Sequence, residues 1–165
     1  MTENSTLELL MYQIGQLFLL PVLLLVAAIF AYALYALGSF AVQVWQRRGR
    51  GSALAGFPLL AYVRSCPAAS FDELDLHAHK ILEPARLVSR IAPMLGLVGT
   101  MIPMGPALKS LADGNLVQVS GNLTVAFSVV ILALIAASIT YWISNVRRRW
   151  LAEELIEVQN DRGAA

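Results

Sequence analysis

Apolar residues arrive in three long blocks separated by polar stretches. The first, Leu17 to Val44, carries no charged residue. A helix needs roughly 20 apolar residues to cross a bilayer core, so this block spans one with length left for tilt. Pro21 lies near its start, where proline costs a helix least, and the block ends at Val44-Trp45-Gln46-Arg47-Arg48, an aromatic anchor followed by positive charge. The second block, Ile91 to Leu111, holds Pro93, Gly96, Gly99, Pro103, Gly105 and Pro106, with Lys109 placed to snorkel from its end. Membrane helices tolerate such residues because neighbouring groups re-satisfy the freed backbone. The third block, Gly121 to Val146, is again uncharged and stops at Arg147-Arg148-Arg149-Trp150. The pattern predicts an all-α membrane protein with three transmembrane helices.

The spans divide the chain into an extracytoplasmic segment 1–16, a first span 17–45, a cytoplasmic segment 46–90, a second span 91–111, an extracytoplasmic turn 112–120, a third span 121–146 and a cytoplasmic tail 147–165. Basic residues set this orientation. Arg47, Arg48, Arg50, Arg64, Lys80, Arg86 and Arg90 lie between the first two spans, and Arg147 to Arg149 follow the third. The N-terminal segment and the turn have no basic residue. The positive-inside rule therefore places the N-terminus outside and the C-terminus in the cytoplasm. Met1 to Tyr12 contains Glu3 and Glu8 and lacks the basic region of a signal peptide.

The cytoplasmic segments also read as helical extensions. Gly49 to Pro67 is a Gly-, Ala-, Pro- and Ser-rich connector with room for a short helix. Ser70-Phe71-Asp72-Glu73 is a capping-box pattern and starts a helix that leads into the second span, with Pro84 placed to kink it. After the third span, Trp150, Leu151, Leu155 and Val158 recur at helical spacing, while Glu153, Glu154 and Glu157 lie elsewhere on the helix. Ser120 to Asn160 then forms one helix about 60 Å long.

Composition adds little to this picture. Of 165 residues, 58% are hydrophobic and only 14% charged, against about a quarter in soluble domains. The net charge of +1 gives no ground for nucleic-acid binding. The single cysteine, Cys66, has no partner for an internal disulfide and reads as a plain thiol. His77-Ala78-His79 points its imidazoles to different helix faces, so with Asp72, Glu73 and Asp75 it reads as a solvated face rather than a metal site. No nucleotide loop, Ser-His-Asp set or Cys-x-x-Cys occurs, and no catalytic group, metal or cofactor is expected.

Small and polar residues inside the spans carry the functional signal. In Arg90-Ile91-Ala92-Pro93-Met94-Leu95-Gly96-Leu97-Val98-Gly99-Thr100 the glycines allow close helix approach. Thr100 has two readings, a bond back to its own helix or a group on a polar path. Thr124, Ser128 and Ser138 fall within roughly 80° of each other on a helical wheel. Asn145 lies close to them and Thr140 opposite. A hydroxyl stripe marks a helix contact or a wet pathway rather than lipid. No Asp, Glu, Lys, Arg or His lies in the interior of any span.

Ala92-Pro93-Met94-Leu95-Gly96-Leu97-Val98-Gly99-Thr100 resembles the A-P-x-L-G-L-x-G-T signature of the MotA/TolQ/ExbB proton-channel family. The order of an N-out span, a large cytoplasmic segment, two closing spans and a basic tail is similar too. Met101-Ile102-Pro103-Met104-Gly105-Pro106 and Arg147-Arg148-Arg149-Trp150 resemble a compact prokaryotic branch of it. The likeness covers Ile81 to Glu154 by motif and the rest by layout. It implies an ExbB/TolQ-like fold in the inner, cytoplasmic membrane and a homo-oligomeric ring, usually a pentamer. The ring would enclose ExbD-, TolR- or MotB-like single-span partners whose aspartate carries the proton. Ion flow through such a ring drives mechanical work. The resemblance implies ion-path roles for Thr100 and Ser128; the hydroxyl stripe adds Thr124 and Ser138 to that path, and Gly96, Gly99, Pro93 and Pro103 are the expected helix-packing residues. One departure stands out. The family carries threonine in its third span where this chain reads Phe127-Ser128-Val129-Val130-Ile131. Either Ser128 replaces that hydroxyl, or the position is Val129 and the hydroxyl is lost. The alternatives to a channel are a non-conducting scaffold of the same fold and a membrane enzyme. The latter would need clustered catalytic groups that the sequence does not offer.

Overall fold

The computed structural model describes residues 2–48, 57–66 and 70–163. They form four helices: α1 (Thr2–Arg48), α2 (Pro58–Ser65), α3 (Phe71–Ala112) and α4 (Leu116–Gly163). Among the described residues there is no strand. Three segments are long and apolar enough to cross a membrane: Gln13–Arg47, Phe71–Ala112 and Leu116–Asn160. The helical extensions anticipated from sequence are continuous with the apolar segments of α3 and α4. Residues 49–56 of the connector lie outside the described residues, and α2 is its short helix.

The chain packs as two units. The first joins α1 up to Tyr32 with Arg90–Ala137. Its core is Val26, Val129 and Ala133, with Val22, Leu23, Leu95 and Leu132 against them. Two glycines set the distance between α3 and α4. A Cβ on Gly96 would stand 2.9 Å from the Ala133 Cβ, and one on Gly99 would run into Val129 Cγ1. The small residues divide in two: Gly96, Gly99, Ala133 and Ala136 are packed inside the chain, whereas Ala27 and Ala31 are uncovered.

The turn between α3 and α4 is shorter than the 112–120 segment suggests, because α4 begins at Leu116. Gly114 takes φ +73°, a left-handed conformation that costs glycine little. Its N–H reaches Leu111 O (3.1 Å) and the Asn115 N–H reaches Ser110 O (2.9 Å), the Schellman pattern that ends a helix. Asn115 then caps α4, its Oδ1 accepting from the Gln118 N–H at 3.2 Å. One motif closes α3 and opens α4, so no longer loop is needed.

The second unit joins Ala33–Ser89 with the chain from Ser138 onward. The capping box is present, with Glu73 N–H donating to Ser70 Oγ and Ser70 N–H to Glu73 Oε2. Leu59 of α2 packs with Ala78, Leu82 and Leu151, and Leu74 packs with Val158 beside Leu60 and Tyr62. Phe40 stacks on Trp150 (5.3 Å, 9°) and meets Trp142 edge-on.

Glu154 requires a correction to the sequence reading. It is 1% exposed, on the same side of α4 as Leu151 and Val158 rather than away from them. One carboxylate oxygen pairs with Arg47, whose guanidinium lies over Phe57 and Trp150. The other accepts the Leu59 N–H at 2.9 Å. α2 has no capping side chain of its own, so Glu154 supplies a negative group where the helix dipole favours one. Burial pushes the Glu154 carboxyl above its ordinary value near 4.5, against the opposing pull of the Leu59 N–H, Arg47 and the Leu60 N–H.

Candidate functional site

Gly99 faces Val129, so Thr100 on α3 and Ser128 on α4 stand beside one helix contact in the first unit. Thr100 is half-buried and Ser128 exposed. Thr124 lies one turn from Ser128 and is also exposed. The structure thus brings Thr100 and Ser128 to one contact of this unit, with Thr124 a turn away on α4. Ser138 belongs to the second unit, where it and Asn145 are exposed. Within the first unit the opposite side of α4 is closed: Ala126, Val129, Ala133 and Ala136 are buried. Of the packing residues, Gly96, Gly99 and Pro103 are buried and Pro93 is half-buried.

Thr100, Thr124 and Ser128 each bond back to their own helix. Thr100 Oγ1 donates to Leu97 O (2.7 Å), Thr124 Oγ1 to Ser120 O (2.8 Å) and Ser128 Oγ to Thr124 O (2.8 Å). A hydroxyl has one proton to give and two lone pairs with which to accept. With the proton directed to a carbonyl, the oxygen offers acceptor capacity to a donor arriving from the uncovered side. The arrangement can receive a hydrogen bond from water or a protonated carboxyl. It has no proton-carrying group of its own.

Asn122, a residue the sequence reading passed over, lies in the same unit, with its Nδ2 buried and without an acceptor. Its only sequence signal is an amide among the apolar residues of the third block. His77 stacks on Tyr62 (4.3 Å) and His79 Nδ1 lies 3.0 Å from Asp75 O, so the two imidazoles engage different neighbours. The described residues hold no group of three potential metal ligands.

Neither a curated protein nor a solved structure matches the chain significantly. The profile of the MotA/TolQ/ExbB proton channel family matches residues 68–160, more than half of the sequence. The matched stretch contains the Gly96/Gly99 contact, Thr100 and the hydroxyl side of α4. With three helices fit to cross a membrane and the glycine-dependent contact of α3 with α4, this chain belongs to the MotA/TolQ/ExbB proton channel family.

Proposed function

We propose that the chain is the ring-forming subunit of an energy-transducing proton channel. It couples ion-motive force to mechanical work through a single-span partner that carries an aspartate. The observation that carries this reading is the division of α4 within the first unit into a closed apolar side and an uncovered side bearing Thr124 and Ser128, with Thr100 beside it on α3. In a ring, the pentamer usual in the family, that uncovered side turns inward. Hydroxyl oxygens there accept from the partner's protonated carboxyl and ease its release from desolvation. Val129 is buried against Gly99, which favours Ser128 as the third-span hydroxyl. The protein resides in the cytoplasmic membrane with its N-terminus outside and its arginine-flanked ends inside.

The test is proton uptake by vesicles holding the complex of chain and partner. Thr100→Val keeps the shape and removes the hydroxyl, so it lowers flux while the ring still assembles. Ser128→Ala lowers it less. Unchanged flux in the double variant rejects the polar path. A monomer by native mass measurement rejects the ring.

A non-conducting scaffold of the same fold is the second reading. It is favoured by the hydroxyl protons already committed to Leu97, Ser120 and Thr124 carbonyls. Absence of flux in an intact parent complex selects it.

A further inference from the structure

In the second unit α3 and α4 run antiparallel, and their packing fixes which residues stand level. Leu74 packs with Val158, and about two turns along Leu82 shares a cluster with Leu151. Leu76 is therefore level with Ile156, Lys80 with Glu153 and Glu83 with Arg149, each to within about one residue's rise of 1.5 Å. All six side chains are exposed, Leu76 by 56% and Ile156 by 59%. Each set of three falls within about 60° on its own helix. The four charged side chains form no ion pair with a described residue.

We propose that these two faces are the two halves of a copy-to-copy contact, the outer face of α3 in one chain seated on the outer face of α4 in the next. The inference rests on the ring proposed above and names the surface that closes it. Copies related by rotation about the membrane normal keep their heights, so level residues meet. The contact then sets Leu76 against Ile156, Lys80 against Glu153 and Glu83 against Arg149, one apolar pair flanked by two ion pairs of opposite sense. Charge order weighs against like face on like face. A two-fold contact of α3 on α3 about the same axis sets Lys80 against Lys80 and Glu83 against Glu83. One of α4 on α4 sets Arg149 against Arg149, and like charges so placed repel. A contact between unlike faces repeats from copy to copy and can close into a ring. The occupant is a second copy rather than lipid because Leu76 and Ile156 lie outside the apolar blocks 91–111 and 121–146, among charged residues.

The experiment uses the full chain with Cys66→Ser, in membranes. One copy carries Leu76→Cys, and a co-expressed copy with a different tag carries Ile156→Cys. A short bis-maleimide is added, products are separated under denaturing conditions, and native mass is measured beside them. The expected result is a mixed dimer when both variants are present and none from either alone. Glu83→Arg in both copies lowers the yield about fivefold, the order of a surface charge pair, and adding Arg149→Glu restores it. The substituted side chains are exposed, so the chain folds without them. Dimers from Leu76→Cys alone or Ile156→Cys alone overturn the unlike-face contact. No product from an intact oligomer overturns this surface and leaves the ring standing. A monomer by native mass removes the ring itself, and the surface with it.

Discussion

The Leu59 backbone N–H and the Glu154 carboxylate meet at 2.9 Å although 95 residues separate them in sequence. Their bond ties the first turn of α2 to α4, and the same carboxylate holds Arg47 of α1. Three helices of the second unit thus converge on one buried acidic group.

Removing that group should be costly. Glu154→Ala leaves Arg47 without its carboxylate partner and α2 without its cap, a loss of about 3–5 kcal/mol for a broken buried pair. Arg47→Met with Glu154→Leu removes both charges together and should lose much less. Equilibrium unfolding of the parent, Arg47→Met, Glu154→Leu and the double variant tests this. Additive losses would show that the pair is not coupled.

The same carboxyl gives stability a pH dependence. Its folded value lies above the ordinary one near 4.5 because burial disfavours the charge. The folded state therefore binds the proton more tightly than the unfolded state. Its contribution is fully present below the ordinary value and is lost as pH rises through the folded value. Thermal unfolding of the parent and Glu154→Gln from acid to neutral pH should show the parent losing ground with rising pH relative to the variant. A gap that moves the other way contradicts the raised value.

Gly99→Ala should weaken the first unit. The added Cβ runs into Val129 Cγ1, and overpacking of this kind costs about 1–3 kcal/mol. Val129→Ala in the same chain makes room and should recover part of the loss. If Gly99→Ala alone leaves the unfolding midpoint unchanged, the contact is looser than described.

Cys66 is exposed and follows α2, on the side of the membrane that the arginines assign to the cytoplasm. A membrane-impermeant thiol reagent should label it only after the membrane is opened. Labelling of intact cells would reverse the proposed orientation.

The apolar segments were legible because their signal is local: unbroken runs longer than a bilayer requires, closed by Trp and Arg. The Ser70–Glu73 box was legible for the same reason, since both partners lie within four residues. Glu154 was not. Its place beside Leu151 and Val158 matches the apolar period, but a glutamate is buried only when a distant cation and N–H group are present to receive it. The turn was read too long because Gly114-Asn115 is a complete stop-and-start motif that looks like ordinary loop composition. The hydroxyl stripe was legible as a stripe. Its destination was not, since a single chain's uncovered side presents the same periodicity toward lipid, a neighbour or a lumen.

The Gly114–Asn115 junction has a mechanical meaning. The last carbonyls of α3 and the first N–H groups of α4 are engaged by the same few residues, so this corner contains no slack. A twist applied to α3 in the first unit is expected to pass to α4 through this short hydrogen-bonded corner.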